Sequence, residues 1–249
     1  AQTELVDYEP ETIDFIRSYV PVPKMEDEAI QEAARMINEA KKPLVLVGQG
    51  VELGGAQEEI RAFLEKADMP AGCTLLGLSA LPSDHPLNKG MLGMHGSLAT
   101  NRKTQECDLL IAVGMRFDDR ITGKLSTYAT QAKKIHFDID PSEINKNVVV
   151  DLAVLGNCKE TLSAVTALLK EQKHTEWIES FNEHYEEERV RVIEPEIHPQ
   201  EGPIKMGEVV RKVTEMTDNK AILVTDVGQN QMLAARYFKF TEKRSMVTS

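Results

Sequence analysis

Three cysteines in 249 residues leave no room for a cysteine framework. Cys73, Cys107 and Cys158 lie far apart, form no Cys-x-x-Cys pair and sit in apolar surroundings. A structural zinc site and a disulfide scaffold are therefore not suggested. Buried free thiols in a reducing cytoplasm are expected instead. Long apolar runs are missing too. None approaches the roughly 20 residues a membrane helix needs, and the opening segment Ala1-Gln2-Thr3-Glu4 is polar, unlike a signal peptide. Positive charge is in deficit: 29 Lys and Arg against 40 Asp and Glu give a formal charge of −11. That argues against a broad nucleic-acid surface, though it leaves a local basic pocket open. Neither nucleic acid nor a membrane is an expected partner. The chain does not begin with Met, which reads as processing or as excision from something longer.

What is present is ordinary for a globular chain: 41% hydrophobic and 28% charged residues. The length allows one large domain or one and a half ordinary ones. Residues 1–24, with Pro10, Pro21 and Pro23 around Thr12–Val20, read as a connecting arm. From Glu26 to Ala40 the spacing of Ile30, Ala33, Ala34 and Ile37 predicts an amphipathic helix, stopped by Pro43. Leu44–Val47 reads as a buried strand ending in Gly48-Gln49-Gly50, with a helix from Ala56 to Lys66. A dinucleotide fingerprint fails here. Its third glycine position is Leu53, and the second strand, near Met69–Thr74, ends without the ribose-binding acid. Thr74–Ser79 and the stretch with Pro82, Pro86 and Gly90 read as irregular. Ser97 is an expected N-cap for a helix through Gln105.

The chain is organised around residues 90–123. Two glycine-bearing loops flank a short helix and the very apolar run Leu109–Val113. That run opens at Gly114 into Met115-Arg116-Phe117-Asp118-Asp119-Arg120. Charge at the carboxyl end of a buried parallel strand is where open α/β sheets bind ligands; a solvated loop with local ion pairs is the other reading. Further strands are expected at Lys133–Pro141, ending in Asp138 and Asp140, and at Val148–Gly156, before a helix over Lys159–Leu169. Alternating strands and helices imply a doubly wound parallel α/β sheet with helices on both faces. Its carboxyl-end loops would gather Gly48–Gly50, Thr74–Gly77, Gly114–Arg120, Asp138–Asp140 and Gly156–Cys158 on one edge, with Leu92–Gly96 folded over it.

His174–Val192 reads as one long polar helix with a solvated face, within a linker of residues 173–203. A helix at Lys205–Met216, a strand at Ala221–Thr225 and a helix from about Gln229 to Phe238 then begin a second α/β unit. Roughly 47 residues would not fold well alone, so the chain reads as truncated.

Leu92-Gly93-Met94-His95-Gly96, Gly114 through Gly123, His136-Phe137-Asp138-Ile139-Asp140 and Val227 through Met232 occur together and in order. With these, most of residues 25–249 resembles the catalytic subunits of the acetohydroxyacid (acetolactate) synthases, which are thiamine-diphosphate enzymes. The Arg-Phe-Asp-Asp-Arg element resembles the FAD-containing members. The resemblance implies that residues 25–172 are the central FAD-binding domain and 204–249 the first unit of the thiamine-diphosphate domain. It implies a decarboxylation of pyruvate and joining to a second pyruvate or 2-oxobutyrate, in branched-chain amino-acid synthesis. The implied cofactors are FAD without net redox role, thiamine diphosphate and Mg2+. The implied partners are a second copy of the chain and a regulatory subunit; the implied location is the cytoplasm, or the plastid in a plant.

Carried over residue by residue, the FAD contacts would be Gly48, Gln49, Gly50, Thr74 and Leu75. Leu92, Gly93, Met94 and His95 would lie along the flavin, followed by Gly114, Met115, Arg116, Phe117 and Asp118. Asp138, Ile139 and Asn157 would lie toward the adenosine end. Asp119 and Arg120 would line the substrate channel, and Gln229 and Asn230 would touch thiamine diphosphate. Two positions depart from the family: Asn230 stands where His is usual, and Asn157 where Asp is usual. The activating glutamate and the magnesium segment of the family have no counterpart here, so this chain alone is expected to be inactive. The competing readings are a nucleotide- or acyl-CoA-binding domain of a flavin-free relative, and a structural spacer. Apart from the resemblance, His95 and His136 read as structural histidines.

Overall fold

The computed structural model describes residues 22–248. The expected Thr12–Val20 piece of the arm lies outside them.

Six strands form one sheet in the order β3-β2-β1-β4-β5-β6, every neighbouring pair parallel. They are β1 (Pro43–Val47), β2 (Ala71–Cys73), β3 (Asn88–Met91), β4 (Leu109–Val113), β5 (Lys133–Asp138) and β6 (Leu152–Leu155). β1 and β4 are buried along their whole length, as continuous apolar runs in a two-face-covered sheet should be. Side-chain alternation divides them. Val45, Val47, Ile111, Val113, Ile135 and Phe137 enter one core with Ile37, Ile60, Phe63 and Leu162. These partners come from α1 (Asp27–Glu39), α3 (Gln57–Lys66) and α6 (Cys158–Leu168). Leu44, Leu46, Leu110 and Ala112 enter the other core with Ala99, Trp177 and Phe181. That face is covered by α4 (Leu98–Thr104), α7 (Thr175–Glu179) and α8 (Asn182–Glu188). The doubly wound fold is as expected.

Four local expectations need correction. Gly48–Gly50 is not an open loop, because a short helix, α2 (Gln49–Leu53), starts at once. β3 was expected to be irregular; it is an edge strand, where the ladder asks little of its residues. The last strand begins only at Leu152, since Val150 is held instead by the Asn145 side chain. The long polar helix is broken into α7, α8, a π turn at Arg189–Ile193 and α9 (Glu194–Ile197). Nor is it simply solvated. Trp177 and Phe181 are buried edge to face, and the indole N–H donates to Pro43 O at 2.8 Å.

The C-terminal unit contains α10 (Met206–Met216), β7 (Leu223–Thr225), α11 (Gln229–Tyr237) and β8 (Met246–Thr248), with β7 and β8 parallel. It docks on the first core: Ala235, Phe238, Phe240 and Met246 join the cluster that holds β1 and β4. Ser83 N donates to Phe240 O, and Phe240 N donates to Ser83 Oγ. A unit too small to close its own core finds one on its neighbour.

Candidate functional site

Strand order reverses between β1 and β4, and their carboxyl ends open into a crevice, the position where open α/β sheets bind ligands. All five expected loops reach it. A cavity of about 480 Å³ is lined by Gln49 and Gly50, by Thr74 and Leu75, by Gly114, Met115, Arg116, Asp118 and Arg120, by Asp138 and Ile139, and by Asn157. Leu75, Arg120 and Ile121 are shared with a second hollow of about 350 Å³, whose other walls include Leu92, Met94, His95 and, from the C-terminal unit, Val227, Gln231 and Met232. A third hollow of about 310 Å³ takes in Gly93 and Asp119 with Arg120. Arg120 thus borders all three.

The glycines have a different first duty from the one expected. Gly48 N donates to Val113 O and Gly50 N to Gly114 O, at 2.9 and 2.8 Å. A Cβ at Gly48 would lie 2.2 Å from Gly114 O, and one at Gly50 would lie 2.6 Å from Gly114 Cα. Gly114 itself has φ of +57°. These residues let two loops of the protein touch; Gly50 and Gly114 face the cavity as a consequence.

The charged groups divide into committed and free. The Asp118 carboxylate caps α5 (Asp119–Thr122), accepting from the N–H groups of Arg120 and Ile121. Arg116 stands 3.9 Å from it, beyond hydrogen-bond range, and is exposed. Arg120 is exposed, and its guanidinium has no hydrogen-bond partner among the described residues. Two forked donors are therefore available to an anion. Asp138 is buried at the end of β5, accepts from Asp140 N at 2.9 Å and lines the cavity. Behind it the buried His136 Nε2 lies 2.9 Å from Met115 O and 3.5 Å from the Asp138 carboxylate, tying two walls together. His136 bridges the walls through Nε2, while its Nδ1 is buried without a hydrogen-bond partner among the described residues.

Some expected contacts lie elsewhere. Phe117 is buried behind the wall, edge to face with Tyr128 and His136. Gly48 is covered by Gly114 and Met115. Gln229 and Asn230 are exposed at the start of α11, and neither lines these hollows. Gln231, Ile121 and Cys158 do, although the sequence placed them only within motifs and loops and named none of them as a contact. Gln231 and Met232 lie three to five residues past Val227 and Gly228, and that helical spacing would have found them.

Asn157 accepts from Lys159 N at 2.8 Å and caps α6. An aspartate would cap the helix equally well at this position. Asn157→Ala is expected to cost about 1 kcal/mol, and Asn157→Asp to be neutral or slightly stabilising, in denaturant unfolding. Cys158 beside it supplies no nucleophile, because burial pushes its thiol up to about 12. At pH 8 the folded chain is expected to resist thiol reagents at Cys73, Cys107 and Cys158, all buried; rapid labelling before unfolding would contradict this.

Residues 30–165, more than half of the chain, match the family model described as the thiamine pyrophosphate enzyme central domain. The chain belongs to the thiamine pyrophosphate enzymes. Among its relatives in that family, the probable acetolactate synthase large subunit of Methanocaldococcus jannaschii is 39% identical over 259 residues, which covers 100% of this chain and 41% of the relative. Acetolactate synthase isozyme 2 large subunit of Escherichia coli is 40% identical over 88% of this chain and 39% of its own length. The acetolactate synthase large subunit of Lactococcus lactis is 37% identical over 91% and 39% respectively. The chain spans about two fifths of the length of these relatives. No helix among the described residues is long and apolar enough to cross a membrane.

Proposed function

We propose that this chain is the FAD-binding middle part of an acetolactate synthase large subunit, together with the start of its thiamine-diphosphate-binding part. The observation that carries this reading is the switch-point cavity, with two uncommitted guanidiniums and a buried carboxylate on its walls. Arg116 and Arg120 suit the diphosphate of a dinucleotide, and Asp138 suits a ribose hydroxyl. The adjoining hollow gives a long ligand room to extend past Leu75 and Arg120 toward Met94 and His95. Its apolar residues suit a flavin ring. Residues 25–172 are proposed as the FAD domain, 173–203 as the linker and 204–249 as the first thiamine-diphosphate unit.

In the proposed reaction one pyruvate loses CO2 and its two-carbon remainder joins a second pyruvate or 2-oxobutyrate, chemistry that thiamine diphosphate supplies when bound with Mg2+. This chain's share is to orient and enclose. Asp119 and Arg120, beside the hollow that α11 closes, would steer the 2-keto acid's carboxylate by repulsion and attraction. Gln229 and Asn230 offer exposed amides at the start of α11 to a diphosphate. A second copy of the chain and a regulatory subunit are the proposed partners, and the cytoplasm the proposed location.

Full-length protein supplied with pyruvate, thiamine diphosphate, Mg2+ and FAD is expected to form acetolactate, while residues 1–249 alone form none. Absence of product from the full-length protein would sink the assignment.

A further inference from the structure

One half-buried ion pair joins three segments that are distant in sequence. Glu188 is the last residue of α8 and is buried. Its carboxylate accepts from Arg236 Nη2 of α11 and, at 3.1 Å, from the backbone N–H of Leu98 at the start of α4. Arg236 Nη1 donates to the carbonyl oxygens of His95 and Gly96, at 3.0 and 3.1 Å. A single Glu–Arg pair from the linker and the C-terminal unit thus grips two carbonyls of the loop that walls the second hollow and the first amide of α4, the helix that follows it.

Helical spacing makes this grip consequential. Arg236 is four residues from Met232, so both lie on one face of α11, a turn apart. Met232 lines the hollow beside His95 while Arg236 holds the His95 carbonyl below it. The loop is also tied to Arg120, through Met94 N to Arg120 O at 2.8 Å. Two features are poor choices for stability alone. Arg236 Nε is buried without a partner among the described residues, and a buried pair is often no better for stability than apolar residues of like size. Glu188 also sits where α8 widens into the π turn, a form found preferentially at functional positions.

We propose that Glu188 and Arg236 are a positioning pair, fixing the register of α11 against the Leu92–Gly96 loop and so the shape of the hollow between them. The proposal does not depend on the flavin assignment. Hydrogen exchange on the full-length protein tests it at the Met94 and Gly96 amides, which bond within and beneath the loop. The double variant E188M/R236M leaves no unpaired buried charge, so the fold is expected to persist. In it those two amides are expected to exchange about tenfold faster or more, with the β1 and β4 amides unchanged. R236K keeps the charge but loses the fork that reaches Glu188 and both carbonyls at once, so it is expected to exchange faster than the parent at these amides and slower than the double variant. Unchanged exchange at Met94 and Gly96 in the double variant would overturn the proposal. So would acceleration shared equally by β1 and β4, which would mark a merely structural pair, or exchange in R236K as fast as in the double variant, which would leave the charge without effect.

Discussion

The double substitution Arg116→Gln with Arg120→Gln is expected to weaken FAD binding by about a hundredfold or more. Each guanidinium has uncommitted donors at the cavity and stands free of any hydrogen-bonded carboxylate. A charge-assisted hydrogen bond contributes about 1.5–3 kcal/mol, and each 1.4 kcal/mol is tenfold in affinity. Stability should change little, because both side chains are exposed and neither holds the fold. Asp118→Asn is the informative companion. Its carboxylate caps α5 through two backbone N–H groups, and an asparagine keeps the cap, so affinity should shift far less than in the arginine variant. Equal losses in the two variants would mean that the loop's shape, and not the arginines, governs binding.

Gly114→Ala is expected to be among the most damaging single methyl additions in the chain. Two costs combine. A non-glycine residue at φ of +57° costs roughly 1–2 kcal/mol. The new Cβ would also lie 2.6 Å from Gly50 Cα, forcing two backbones apart at a further cost of about 1–3 kcal/mol. Together these predict a fall in melting temperature of roughly 5–15 °C, read by differential scanning calorimetry. Gly55 provides the control, because it has a similar φ of +63° but open space where a Cβ would go. Gly55→Ala should therefore carry the backbone cost without the clash. A Gly114 variant no worse than the Gly55 variant would remove the loop–loop contact from the account.

Much of this arrangement was legible before the structure. The runs Leu44–Val47 and Leu109–Val113 are too apolar and too short to be anything but buried strands, and Ser97 caps its helix as the residue type suggests. The five loops could be placed on one edge because parallel strands all end on the same side. Strand order could not be read, since it depends on which crossovers cover which face; yet that order puts the reversal between β1 and β4 and makes their loops the crevice. Trp177 and Phe181 were hidden inside a Glu-rich stretch whose average polarity outweighed two buried rings. The glycines were legible as close approaches, but not as approaches of one loop to another. Glu188 and Arg236 carried no local signal, because 48 residues separate the partners. Long-range polar pairing leaves no trace in periodicity.

The measurement closest to the central claim is a titration of the full-length protein with FAD, followed by quenching of flavin fluorescence, with NAD as the control. Saturable binding of FAD, little response to NAD, and loss of the FAD signal on replacing Arg116 and Arg120 are expected of a flavin site at the β1–β4 crevice. Saturable NAD binding with no response to FAD, or FAD binding indifferent to both arginines, would contradict it.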